Sequence, residues 1–440
     1  MSELPSGWVW TTLGVISETR LGKMLSAKAR SGVGSRPYLR NKNVQWGRID
    51  LDDVLAMDFS EGELDRFRVL PGDLLICEGG EVGRAAIWRG QIDWIGYQKA
   101  LHRVRPQGGI APEYLLYGFM WLAQTNAFEP HVTGSTIKHL PQEDLRLLRM
   151  PLPPLNEQRR IVAAIEEQLS RLDAADASLA AALRRLAVQR RAVLFAALDQ
   201  AGPPKVSASE LLSVSIGGVW GKEPGADEVD VSVFRVTEFR ADGLLDPSTA
   251  ACRSITHKQL ASRELLPDDL LIEKSGGGPD RPVGRVALVP IHQGHAVCSN
   301  FVQLIRADPA RIHPRFLFRW LQRRYLDGSA TAHQTASTNI RNLKTPNYLN
   351  LLIPVPPLDE QRRIVAEVEE RLSVIDAMRL AIERAERRSA TLRRSILERA
   401  FRGELVPQDL SDEPASVLLD RIRAERKIAD ATPRRRRVKA

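Results

Sequence analysis

Two stretches of this chain space their apolar residues as a heptad. In the first, Val162, Ile165, Leu169, Leu172, Leu179, Leu183, Leu186 and Val193 fall at steps of three and four, with Asp176 and Arg190 as polar interruptions. In the second, Val365, Val368, Leu372, Ile375 and Ile382 keep that register, which loosens around Glu386 and Ser389 and recovers at Ile396. So narrow a stripe predicts the seam of a coiled coil. Each stretch follows a double proline, with Asn156 or Asp359 expected as N-cap and Glu157 or Glu360 in the first turn, where a carboxylate suits the helix dipole. From residue 156 to 198 such a helix is about 65 Å long.

The two stretches are copies of one another. PLPPLNEQRRIVAAIEEQL occupies 151–169 and PVPPLDEQRRIVAEVEERL occupies 354–372, an offset of 354 − 151 = 203 residues. The segments before each helix also pair, in the same order. VLPGDLLICEGGEVGRAAIW (69–88) resembles LLPDDLLIEKSGGGPDRPVGRVALV (265–289), and YLRNKNVQWGRIDLDD (38–53) lies opposite VFRVTEFRADGLLD (233–246). YQKALHRVRP (97–106) lies opposite SNFVQLIRAD (299–308), and HVTGSTIKHLPQEDL (131–145) opposite HQTASTNIRNLKTPNYL (333–349). Short strand-like runs such as DLLIC and RVALV, and one helical patch per copy (112–124 and 314–326), make each unit mixed α and β. The predicted class is therefore α+β: two mixed α/β units and two long antiparallel coiled-coil helices, with an internal pseudo-two-fold. The expected boundaries are a first unit over 1–150, a helical region over 151–200, a second unit over 201–353, a second helical region over 354–402 and a C-terminal segment over 403–440.

The chain has 440 residues, more than one hydrophobic core usually serves, and its 43% hydrophobic and 27% charged residues are ordinary for a globular protein. No apolar run reaches the ~18 residues of a membrane span, and the N-terminus lacks the pattern of an export signal. Three scattered cysteines, Cys77, Cys252 and Cys298, suggest reduced thiols. A cytoplasmic protein is expected. Its net charge of +9 points to a polyanionic partner, although part of the excess lies in the tail PRRRRVKA (433–440).

Catalytic motifs fare poorly. PDDLLIEK (267–274) begins like a metal-dependent nuclease motif, but Glu273 and Lys274 are adjacent and so point to opposite strand faces. Asp73 and Asp269 read better as turn residues before buried strands. HQGHAVC (292–298) offers two histidines and a thiol without a nearby fourth zinc ligand. Neither a GxxxxGK[ST] loop nor a GxGxxG fingerprint is present, and the NPPY or DPPY run of aminomethyltransferases is missing. The glycine-rich GGEVGR and SGGGPDRPVGR suit a phosphate cradle and a plain inter-strand turn equally well.

Binding is better supplied. RNKNVQWGR (40–48) gathers Arg40, Lys42, Asn43, Gln45 and Arg48 around Trp46, side chains able to pair with guanine or adenine edges. GSTIKHL and ASTNIRNL add Ser135, Thr136, Lys138, Ser337, Thr338, Asn339 and Arg341, a mixture suited to phosphate oxygens. Arg84, Lys99, Arg235, Lys274, Arg285 and Lys344, in the paired segments, complete the candidate DNA contacts.

Together, the repeated PPL-x-EQRRIV phrase, GSTIKHL, PGDLLI and the C-terminal FRGELVPQD stretch resemble the specificity subunits of type I restriction-modification systems over essentially the whole chain. That resemblance implies a non-catalytic reader of double-stranded DNA, with two target recognition domains held apart by two helices, each domain reading one half of a split asymmetric site. A rigid spacer makes the second encounter intramolecular. It further implies docking of two methyltransferase subunits and, through them, restriction/translocase subunits, with Gln158, Arg159, Arg160, Gln361, Arg362 and Arg363 of the repeated phrase as candidate docking residues. No cofactor is expected in this chain; S-adenosylmethionine, ATP and magnesium would belong to the partner subunits. No membrane partner is expected. The alternative is a coiled-coil scaffold that never touches nucleic acid.

Overall fold

The heptad stretches form two helices of 45 residues each, Leu155–Asp199 and Leu358–Arg402. The computed structural model describes residues 4–26, 32–134, 138–203, 205–240, 242–277, 282–291, 294–337 and 340–431. These divide into a first unit, Met1–Ser178 with Ala385–Ala440, and a second, Leu179–Arg384, so each unit takes part of both helices.

The chain order of the first unit is β1 (Val9–Thr12), α1 (Leu13–Ile16), β2 (Ser17–Leu21), β3 (Ser35–Leu39), β4 (Val44–Gln45), β5 (Arg48–Ile49), β6 (Leu55–Asp58), α2 (Glu61–Phe67), β7 (Leu74–Cys77), β8 (Ala85–Ile87), β9 (Gly96–Tyr97), β10 (Leu101–Pro106), α3 (Pro112–Gln124), α4 (Gln142–Leu147) and β11 (Arg149–Leu152), leading into the long α5. The second runs through β12 (Val206–Ser207), β13 (Leu212–Gly217), β14 (Val229–Phe234), β15 (Ala251–Ile255), α6 (His257–Arg263), β16 (Leu270–Glu273), β17 (Ser275–Gly277), β18 (Val286–Leu288), β19 (Ala296–Cys298), β20 (Val302–Ala307), α7 (Pro314–Leu326), β21 (Gln334–Ser337), β22 (Ile340–Leu343), α8 (Thr345–Leu349) and β23 (Leu352–Ile353) to the long α9. A last helix, α10 (Ala415–Ala431), belongs to the first unit.

One topology is built twice. An antiparallel sheet ordered β2-β10-β7-β8 in the first unit matches β13-β20-β16-β18 in the second, and the smaller β6-β3-β9 matches β15-β14-β19. In both small sheets one pair is parallel, β3 with β9 and β14 with β19, joined by long crossovers. The match extends to single residues. Asp73 accepts two bonds from Arg105 at 2.6 and 2.7 Å, and Asp269 accepts two from Arg306 at 2.7 Å. Leu101 pairs with Cys77, and Val302 with Glu273, so YQKALHRVRP and SNFVQLIRAD align one residue away from the sequence expectation. Gly22 and Gly218 stand at equivalent bends where an added Cβ would meet Gln98 O at 2.2 Å and Cys298 O at 2.1 Å, so neither tolerates a side chain.

Two expectations about the helices change. Both begin two residues before the expected caps allow, with Pro154 O and Pro357 O accepting the first intrahelical bonds from the amides of Gln158 and Gln361; Asn156 and Asp359 lie inside the first turn rather than capping it. The buried stripe is also wider than a seam near the helix ends. Ile161, Ile165, Ile396, Leu397 and Phe401 enter the core of the first unit, where α10 adds Leu418 and Ile422. Leu194, Leu198, Ile364, Val365, Val368 and Leu372 enter that of the second. Each polar interruption of the first heptad finds an ion-pair partner on the other long helix, within its own unit. Arg393 donates to Asp173 and Asp176 at 2.7 Å in the first, and Arg190 donates to Asp376 at 2.6 Å in the second. Since 393 − 190 = 203 and 376 − 173 = 203, each arginine pairs with the aspartate of the other repeat, which fixes an antiparallel register.

Candidate nucleic-acid interface

In the first unit four loops converge. The Asn41 amide donates to Gly79 O at 3.0 Å and Arg84 donates to Asn41 O at 3.0 Å, tying the loop after β3 to the turn between β7 and β8. Leu140 N donates to Glu78 O and Glu78 N to Ala100 O, adding the segments that carry Lys138 and Lys99. Lys42, Arg48, Lys99 and Lys138 are exposed. Lys42 and Arg40 both bond Asp53, at 2.7 and 2.9 Å, and these hydrogen bonds, Lys42's first, hold the Asp53 carboxyl below the usual aspartate pKa. Gln45 is half-buried and donates to Lys42 O, while Trp46 Nε1 donates to Glu81.

Asn43 departs from its expected place at a base edge. It is 1% exposed, accepts from Arg40 N and donates to the carbonyls of Asp50 and Asp53, so its amide is built into the loop. Arg84 is likewise drawn inward, between Glu81 and Asn41 O. The glycine-rich GGEVGR turn is closed by backbone bonds from Gly83 N to Cys77 O and Cys77 N to Arg84 O.

The second unit builds the same frame with other side chains. Arg235 occupies the place of Arg40 and Glu238 that of Asn43. Burial works against the Glu238 carboxylate, but bonds from Arg235 outweigh it and keep the pKa below the ordinary glutamate value. Arg285 binds the buried Glu273 at 2.6 Å. Lys274 is half-buried, its N donating to Phe301 O and its O accepting from Leu343 N. Arg341 is half-buried on β22 and the exposed Lys344 follows that strand, in and beside the sheet β17-β22-β21; the first unit has the bridges Gly79–His139 and Thr133–His139 at the corresponding places. Ser135, Thr136, Thr338 and Asn339 lie outside the described residues, as does the side chain of Ser337.

The carboxylates of the nuclease-like stretch are occupied: Asp269 by Arg306, and Glu273 by Arg285. Of HQGHAVC, His295 pairs with Glu264 and Cys298 is buried, its thiol pushed up to about 12 by burial. Trp220, Asn300 and Phe301, which sequence reasoning passed over, border the same loops. The sequence signal for them was an aromatic in an otherwise turn-like position.

The docking candidates split. Gln158 and Gln361 are 0% exposed, which removes them from any docking face. Their side-chain amides donate to Pro153 O and Pro356 O, clamping the double proline to the first helical turn. Arg159, Arg362 and Arg363 are exposed. Arg160 binds Asp412 at 2.7 Å, fastening the C-terminal segment to α5.

Residues 5–179 and 265–390 match the model of the type I restriction modification DNA specificity domain. The chain belongs to that family. Over 463 residues it is 25% identical to the type I restriction enzyme StySPI specificity subunit of Salmonella potsdam, covering 97% of each chain. Over 430 residues it is 26% identical to the EcoBI specificity subunit of Escherichia coli, covering 86% of this chain and 85% of that one. A chain from a structural study of complex assembly and conformational transition of the type I R-M system superposes with a TM-score of 0.71 at 20% identity, covering 92% of this chain and 100% of that one. The HsdS subunit from Thermoanaerobacter tengcongensis gives 0.54 at 20% identity, over 92% and 98%. The α+β architecture, with two specificity-domain regions, a long central helix and a second long helix, is that of these structures. No helix among the described residues is long and apolar enough to cross a membrane.

Proposed function

We propose that this chain is the non-catalytic, cytoplasmic DNA reader of a type I restriction-modification complex, binding a bipartite asymmetric site with one half-site per unit. The observation that carries this is one frame built twice with different loop side chains. Where the loops and short strands of the first unit carry Lys42, Trp46, Arg48 and Lys99, those of the second carry Trp220, Lys274, Phe301, Arg341 and Lys344. Equal frames with unequal loops suit two unequal half-sites.

Methylation and cleavage belong to partner subunits in this reading, together with S-adenosylmethionine, ATP and magnesium. Two methyltransferase subunits would dock on the helices, and restriction/translocase subunits through them. Exposed Val188, Val374 and Met378 on the second unit's helices, and Leu392 on the first's, support docking, as do Arg159, Arg362 and Arg363.

Mapping methylated adenines in the host tests the reading. Two short half-sites separated by unread bases are expected, and a single unbroken motif overturns it. Binding should also fall steeply with salt, log K dropping by about 0.9 per neutralised phosphate. A flat response would favour a scaffold.

A further inference from the structure

A cavity of about 660 Å³ opens in the second unit, within the size range of sites that enclose a small organic group. Its walls include Trp220, Arg235, Arg285, Ser299, Asn300 and Phe301. Trp220 borders the cavity, held in place by the Arg253 guanidinium, 4.6 Å from the ring centre, and by packing against the core around Val231 and Ile255. Phe301 stands 50% exposed at the end of the Ser299–Asn300 turn. The Ser299 hydroxyl is 1% exposed and has no hydrogen-bond partner among the described residues, an arrangement that is unfavourable until something supplies one.

The charges indicate what fits. Arg235 and Arg285 are each neutralised by a buried carboxylate, Glu238 and Glu273, so the cavity presents apolar walls and hydrogen-bonding groups rather than a free cation. A phosphate is poorly served there; a flat, uncharged ring with a polar edge is well served. The first unit carries different residues at the matched positions. By the matched registers, Met24 stands where Trp220 does and Ala100 where Phe301 does, and the Asn300 position is Lys99.

We propose that this cavity receives one nucleobase turned out of the duplex at the half-site read by the second unit, stacked on Trp220 and Phe301 with its polar edge on Ser299 and Asn300. The proposal rests on the DNA-reading function above. A duplex hides its ring faces, so only an everted base can fill a stacking site of this kind, and the unpairing it requires is offset by stacking.

Full-length protein is titrated with duplexes of its mapped site in which single abasic sites are moved through both half-sites. Removing the partner of the everted base removes the need to break that pair. At one position in the second half-site, binding should tighten about tenfold. Phe301→Ala should abolish the gain, Trp220→Phe should retain it, and the first half-site should show no such position. If every abasic site weakens binding or leaves it unchanged while salt-dependent binding to the intact site persists, the proposal fails and the DNA-reading function stands. If the intact duplex does not bind at all, both fail. The abasic scan on unaltered protein requires no variant to fold.

Discussion

At matched places on their central strands the first unit buries His102 and the second Gln303. His102 is fully buried, with Nε2 2.8 Å from Leu140 O, and burial pushes its pKa down to about 4 against the opposing effect of that bond. Gln303 makes a comparable bond, its amide donating to Ser215 Oγ at 3.1 Å, and cannot titrate. The frame asks only for a side chain that can hydrogen-bond at this point. Which one it received decides whether this position titrates.

The strongest test of the equivalence lies next to it, at Arg105 and Arg306. Arg105→Ala and Arg306→Ala each leave a buried aspartate without its cation, and each should destabilise its own unit by about 3 kcal/mol or more, read by hydrogen exchange on β7 and β16. A loss in one unit less than half that in the other would break the comparison.

Next comes His102 itself. The unfolded chain takes up a proton near 6.5, whereas the fold refuses it until about 4. The first unit should therefore lose stability as pH falls through that window, by up to about 3 kcal/mol. His102→Gln should remove this dependence; a denaturant midpoint that still drops in the variant's first unit would assign the effect elsewhere. His313 of the second unit, half-buried, is shifted downward by burial as well, so the control for this test is the His102→Gln variant and not the second unit.

The smallest effect is expected at the helix pairs. Double-mutant cycles on Arg190 with Asp376, and on Arg393 with Asp173, should each give about 0.5 kcal/mol, because these groups are partly exposed. Unequal couplings would separate Arg190, which bonds one aspartate and the Asp242 carbonyl, from Arg393, which bonds two aspartates.

Much of this was legible in the residues. A period of three and four, repeated after 203 residues, announced both helices and the duplication, because a heptad is a local pattern. The pairing of Asp73 with Arg105, or Asp269 with Arg306, was hidden because their partners come from strands brought together only by the fold; both aspartates looked like turn residues. Gln158 and Gln361 looked like surface residues for a similar reason: nothing local says that a polar amide beside two arginines turns inward to hold a proline carbonyl. Asn43 misled in the same direction. At the candidate interface the loop cations were readable from composition, but Trp220 and Phe301 become neighbours only through strand pairing.

The last helix changes the order in which the protein can be completed. Ala415 N bonds Gly7 O, and Arg426 reaches the carbonyls of Gly14 and Ser17 at 2.7 and 2.8 Å. The first unit thus lacks part of its own interior until α10 has been synthesised, while Leu179–Arg384 has everything it requires earlier. On the ribosome the later-encoded half is the one able to finish first, reversing the usual N-terminal precedence of nascent domains.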